Sequence, residues 1–218
     1  MINKSNASKL KAKESSPHRG KTRQDILLAA TREFARSGFT GASTLLIAKN
    51  ANSKQPLLHY HFGSKEKLWL AAVDFAFIEL KVTFDTIEET AGDLEEIDIL
   101  KLMLRTINRF ASRHPLHIDI LRQEMGSESR RSQYILKNYL SPMYLSLNAV
   151  IKSATDKGQI KKVHPQFLSS MLFGAFTHYY TSGPSTKAMF SIDINDPAKI
   201  KQHGDWLVEI IFRGLANE

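Results

Sequence analysis

Apolar residues in this chain recur at helical spacing from Ile26 almost to the end. Ile99, Leu100, Met103, Leu104, Ile107, Phe110 and Ala111 fall on one face of a 3.6-residue repeat. Ile26, Leu27, Ala30 and Phe34 form an earlier stripe, and Gly38 supplies its stop. Ser43 or Thr44 can cap a short helix holding Leu46, Ile47 and Ala48. Ala51-Asn52-Ser53 breaks that helix, with Asn52 suited to a left-handed backbone position. A third short helix is predicted from about Gln55 to Phe62, with Pro56 in the first turn, where its missing N–H costs little. Gly63-Ser64 then starts a helix running through Leu68, Ala72, Phe75 and Ile78, its first turn favoured by Glu66. His114-Pro115 stops the Ile99–Ala111 helix, and a short segment over 116–125 ends at Gly126. A long pattern from Arg130 to Thr155 contains Ser141-Pro142, a predicted kink or break. Pro165 and Pro197 each open a further apolar helix in the favoured first-turn position, running to about Ser182 and Arg213. No segment sustains the alternation of a strand and no internal repeat is present. The expected fold class is all-α.

Charge divides this helical chain in two. Residues 1–68 carry 13 Lys and Arg against 4 Asp and Glu, whereas residues 69–218 carry 17 against 18. A basic head on a neutral body is the signature of a polyanion-binding module on a separate domain. Residues 1–20 are lysine-rich and nearly devoid of large apolar groups, so they are read as a disordered basic arm. Such an arm can strengthen binding through phosphates or enter a minor groove, Arg19, Lys21 and Arg23 being its nearest contributors. Residues 21–68 then form the head and 69–218 the body. No apolar run approaches the roughly 18 residues of a membrane-spanning helix. With a hydrophilic first segment and no cysteine, the expected location is cytoplasmic, and disulfides and thiolate metal sites are excluded.

Two short helices joined by a tight turn, about 44–51 and 55–61, braced by a helix over 22–37, are the sequence form of a helix-turn-helix. Its second helix enters the DNA major groove. Gln55 can make the bidentate contact with adenine, and Pro56 or Leu57 can touch a thymine methyl. Lys54, Tyr60, His61 and Lys65 are placed for phosphates, Lys65 at a helix start where backbone N–H groups attract anions. Ser43, Thr44 and His59 complete the expected DNA-binding set. Phe34, Ile47, Leu58 and Phe62 are read as core. His59 and His61 stand two apart, hence face different directions on a helix, and are not read as a metal pair.

The stretch Ile26-Leu-Leu-Ala-Ala, Phe34, Gly38-Phe39, Ile47-Ala48, Ala51 and Gln55-Pro-Leu-Leu-His-Tyr-His-Phe-Gly-Ser-Lys-Glu-Lys-Leu68 resembles the TetR family of bacterial repressors. The resemblance covers about 45 residues and is carried above all by Tyr60-His-Phe-Gly-Ser-Lys-Glu66 after the helix-turn-helix. It implies a dimer with a small DNA-binding domain and a larger helical domain for ligand binding and dimerisation. Several positions depart from the family pattern. Asn52 stands at a usual glycine, Ser53 at a small apolar residue, Lys54 at the serine that caps the groove helix, and His59 at a common tyrosine. Ala42 replaces a common threonine, and Leu45 and Leu46 stand where polar residues are frequent.

In the body, the last two helices carry Phe167, Met171, Gly174, Ala175, Gly204, Leu207, Val208 and Ile211, the expected faces of a four-helix dimer interface in which the glycines permit close approach. His117, Arg122, Glu124, Tyr134, Tyr139 and His178 are the polar candidates for an otherwise apolar effector pocket. His114 and His117 can share a helical face, but Pro115 intervenes and no third metal ligand is evident. No cofactor and no metal are expected. The expected function is a ligand-responsive repressor that binds a pseudo-palindromic double-stranded DNA operator as a homodimer, with a small-molecule effector and no membrane partner. The competing readings are an effector-independent DNA-binding module and a metal-assisted hydrolase. The second has no phosphate-cradling glycine loop, no His-Glu-x-x-His and no Gly-x-Ser-x-Gly to support it.

Overall fold

The computed structural model describes residues 17–181 and 183–216, and among them every regular element is a helix. The chain divides between Phe75 and Ala76 into two units. In the first, α1 (Pro17–Gly41) packs on α2 (Thr44–Asn50), and α2 on α3 (Gln55–Phe62). The apolar stripe read from the sequence is the core: Ile26, Leu27, Ala30, Phe34, Ile47, Leu58 and Phe62 are all buried. Gly38 adopts φ 66°, ψ 174° inside α1, so the chain turns there before the last helical residues, as its glycine requires. Asn52 takes φ 50° between α2 and α3, the left-handed position expected of it. Helix α1 begins at Pro17, earlier than the predicted head, so residues 17–20 of the expected arm are helical. The remainder of that arm, 1–16, lies outside the described residues.

The division at Phe75 falls inside α4 (Lys65–Thr90). The second unit is built around α5 (Glu96–Arg113), against which α8 (Ser141–Asp156), α9 (Pro165–Thr181) and α11 (Pro197–Leu215) pack. Helix α6 (Pro115–Glu124) packs on α9, and α7 (Arg130–Ile135) on α6. The buried face of α5 is the predicted one, Leu100, Met103, Leu104, Ile107, Phe110 and Ala111. Asn108, buried beside it, joins three helices. Its Oδ1 accepts from the Tyr180 hydroxyl at 2.8 Å and from His203 Nδ1 at 3.1 Å, and its Nδ2 donates to the Ile200 carbonyl at 3.1 Å. Burial in this cluster holds the His203 imidazole below its ordinary value.

Two local predictions are corrected. Ser141-Pro142 does not break its helix. A π turn over Leu136–Leu140 connects α7 to α8 without interruption, with Ser141 N–H donating to the Leu136 carbonyl. The wider turn immediately before Pro142 accommodates a residue that has no N–H to give. No helix is predicted between about Ser182 and Pro197, yet α10 (Gly183–Phe190) forms there. Its Gly183-Pro184 start reads as a breaker, while proline is well tolerated in a first turn.

Candidate nucleic-acid interface and body cavities

The head presents its second short helix with a sharply sorted surface. Leu58 and Phe62 point into the core, while Pro56, Leu57, His59 and Tyr60 are exposed, Tyr60 at 68%. Pro56 occupies the first turn as predicted. Ser43, not Thr44, is the cap of α2, its Oγ accepting from Leu46 N–H at 3.4 Å. Thr44 has a different role: its hydroxyl accepts a hydrogen bond from Gln55 Nε2 at 3.2 Å. The predicted base reader is therefore tethered across the turn to the preceding helix. Lys54 stands at the cap position of α3 with no side-chain cap bond, the consequence of lysine replacing serine. Lys65 donates to the Thr40 carbonyl at 3.2 Å and lies 5.0 Å from the centre of the Phe39 ring. His61 is half-buried with its ring edge against Tyr60, and His59 is exposed with Nδ1 3.4 Å from the Gly63 carbonyl.

Two further features shape the head, and the first is not visible in the sequence. Glu33 is buried in α1, accepts from Ser43 N–H at 3.3 Å and pairs with Arg36 at 2.7 Å, which ties the start of the helix-turn-helix to the brace helix. An acidic residue in a basic stripe looks like ordinary solvated surface until α2 folds over it. Leu45 and Leu46, noted as departures, are exposed, Leu45 at 61%, giving the head an apolar surface beside the groove helix.

The six expected effector-pocket residues do not meet in one place. Glu124 is buried but bonded to Ser129 Oγ and Arg131 Nε, both at 2.9 Å, and so stabilises the α6–α7 connection. His117 is buried edge-on to Phe77 and to His114, ring centres 6.2 and 5.5 Å apart, within an aromatic cluster that includes Tyr139. Tyr134 packs edge-on against Tyr139. Tyr139 lines a cavity of about 470 Å³ between α4 and α8, with Phe77, Leu80, Phe84 and Met143, and with Lys81, Asp85 and Glu88 among its charged residues. Arg122 and His178 line a different cavity, of about 410 Å³, with Leu121, Leu140, Tyr144 and Phe173 from α6, α8, α9 and the π turn. A third depression, about 610 Å³, runs between α5 and α11 and has several charged side chains along it. There Arg105 and Lys201 share Asp205, while Arg113 pairs with Glu79.

The expected interface residues separate by face. Phe167 and Met171 are exposed on α9, at 74% and 57%, and Gly174 and His178 continue that stripe. Gly204 and Val208, by contrast, are buried within the subunit; a Cβ at Gly204 would come within 2.5 Å of Asn108 Nδ2. Gly204 thus permits α11 to approach α5, whereas Gly174 borders open space and makes no close helix contact. Ala175, Leu207 and Ile211 are half-buried. The exposed apolar residues of α11 are Trp206 and Ile210, at 63% and 64%, which the sequence reading passed over. Helix α11 is apolar on two sides, and periodicity alone does not say which side meets α5. No helix among the described residues is long and apolar enough to cross a membrane.

With this geometry in place, comparisons with known proteins point one way. Residues 26–72, from the brace helix to the first turns of α4, match the family model of bacterial regulatory proteins of the tetR family. Over 202 residues the chain is 26% identical to the HTH-type transcriptional repressor NicS of Pseudomonas putida, spanning 89% of this chain and 92% of that protein. The fold is shared with the ketosteroid transcriptional regulator KstR2 of Mycobacterium tuberculosis, with a TM-score of 0.75 at 16% identity over 90% of this chain and 95% of that one. It is also shared with AibR, determined in complex with isovaleryl coenzyme A and operator DNA, with a TM-score of 0.68 at 18% identity over 88% and 98% of the two chains.

Proposed function

We propose, for a chain that belongs to the TetR family of bacterial transcriptional regulators, a dimeric repressor whose DNA affinity a small molecule lowers. The observation that carries the DNA-binding part is the exposed face of α3: Pro56, Leu57 and Tyr60 beside a Gln55 amide held by Thr44. Such a helix reads bases from the major groove, and two copies related by a two-fold axis read half-sites one helical turn apart. Lys54, His59, His61 and Lys65 flank it as phosphate contacts, which set register and orientation. Ser43 and Thr44 open the preceding helix on the same side of the turn.

The dimer is supported by the exposed apolar residues Phe167 and Met171 on α9 and Trp206 and Ile210 on α11. The effector reading is supported by two apolar body cavities of ligand size and by AibR, which shares the fold and was captured with an acyl-coenzyme A and its operator. The ligand favours the dimer state with wrongly spaced heads, and affinity falls by its differential affinity for the two states. The protein acts by binding, without a catalytic step.

Selection of bound duplexes from a random pool, followed by affinity over a salt series, tests the reading. An enriched inverted repeat bound by a dimer is expected. Binding without enrichment would leave a non-specific module instead.

A further inference from the structure

We propose that the cavity walled by α6, α8, α9 and the π turn is the effector site and that it selects an amphipathic monocarboxylate, an acyl chain with one anionic head. The inference rests on the effector reading above and adds its site and chemical class.

The walls are apolar: Leu121, Met125, Leu136, Leu140 and Phe173 line a cavity of about 410 Å³ that is open to solvent, within the size range of small-molecule pockets. The ionisable nitrogen groups around them are cationic or basic. Arg122 brings a guanidinium and His178 an imidazole that gains positive charge on protonation, and no carboxylate lines the cavity. Arg122 is highly exposed and its partner, Asp119 on the same helix, lies 3.5 Å away, a surface pair that holds the guanidinium only weakly. The guanidinium can therefore turn to a ligand carboxylate and bind it through two parallel N–H groups. Tyr144 supplies a second donor. Its hydroxyl has no partner among the described residues, and its ring leans on Phe173 with centres 5.8 Å apart. Burial pushes its phenol above the ordinary value, so it stays protonated and able to donate. The hydroxyls of Thr177 and Thr181 donate to the Phe173 and His178 carbonyls and present only lone pairs.

The other cavities lack this combination. The one along α4 has Asp85 and Glu88 among its lining groups, with Lys81 already paired to Asp85, which disfavours an anion. The depression along α5 is lined by several cations, but the Asp205 carboxylate stands among them and already pairs with Arg105 and Lys201. The chosen cavity also shares Gly174 and His178 with the exposed stripe of α9. A ligand there bears on the helix proposed to join the subunits.

The test is calorimetric titration of full-length, DNA-free protein with octanoate, 1-octanol and octylammonium. Octanoate should bind about tenfold or more tightly than octanol, the increment of a hydrogen-bonded charge, and octylammonium should not bind measurably. Arg122→Glu, a change at an exposed position, should abolish the octanoate preference while leaving octanol binding intact, and Arg122→Lys should retain part of it. Tyr144→Phe should reduce octanoate affinity severalfold without altering octanol. Equal binding of the three probes, no binding of octanoate, or an Arg122→Glu variant that keeps the preference would each overturn the proposal. Operator affinity measured separately with saturating octanoate distinguishes the two levels. Selective octanoate binding that leaves DNA affinity unchanged would refute the effector role and keep the ligand class.

Discussion

In the proposed contact with DNA, the Gln55 amide is already oriented by Thr44. One Nε2 hydrogen is engaged by Thr44, leaving the other hydrogen and Oε1 for an adenine edge, which is all that a bidentate contact needs. Gln55→Ala should cost about 1–3 kcal/mol at the preferred operator and relax preference at one base pair only. Thr44→Val should show the same relaxation in weaker form and Thr44→Ser should restore it, as read by competition with single-base operator variants. A uniform loss across all variants would instead make Gln55 a positioning contact. Lys65 is held at the edge of the head by the Thr40 carbonyl and the Phe39 ring, with two ammonium hydrogens still available. Lys65→Ala should weaken binding to every sequence alike and lower the salt slope by about 1. An unchanged slope would assign Lys65 to the head's own stability. The exposure of Tyr60 and the burial of Leu58 both follow from helical spacing in the sequence. The Thr44–Gln55 bond does not, because it depends on how tightly the turn at Asn52 folds α3 against α2.

Between elements, junctions carry the predictions. Glu96, in the first turn of α5, accepts from Ser153 Oγ at 2.9 Å and from the Lys157 ammonium. The Lys157 hydrogen bond is the main cause that lowers its pKa from 4.5 to about 2. Because the folded value lies below the unfolded one, the junction's contribution is present above pH 4.5 and is lost as pH falls towards 2. Glu96→Gln should therefore lower the urea midpoint at neutral pH and flatten its decline over that acid window. A parallel shift at every pH would mean that the charge is not the source. Where α11 crosses α5, Gly204→Ala should cost roughly 1–3 kcal/mol, since the added methyl displaces an Asn108 side chain already bonded to Tyr180, His203 and Ile200. Thermal unfolding reads this directly, and an unchanged midpoint would show that Asn108 relaxes freely. Helix existence was legible from apolar spacing and from prolines at first turns, whereas the π turn before Pro142 and helix α10 were not. Both arise where a local breaker is accommodated by a turn geometry that residue type does not specify.

At the scale of the whole molecule, the proposed dimer rests on Trp206 and Ile210 of α11 and Phe167 and Met171 of α9, all exposed apolar residues. Ile210→Asp, at an exposed position, should leave the fold intact, halve the sedimenting mass and reduce operator affinity by about 100-fold or more through loss of the second half-site. A wild-type chain that sediments as a monomer and still binds the operator with full affinity would refute the dimer reading. The amino-acid order alone determined the all-helical class, the basic head with its brace helix and two short helices, and the core of that head. Those features depend on periodicity, caps and charge, which are local properties of the chain. Which of two apolar faces of α11 is inward, and that Glu124 is spent in an ion pair while Arg122 and Tyr144 border an apolar cavity, were decided only by tertiary structure. Each depends on contacts between residues distant in sequence, and helical periodicity carries no information about which helix comes to lie against which.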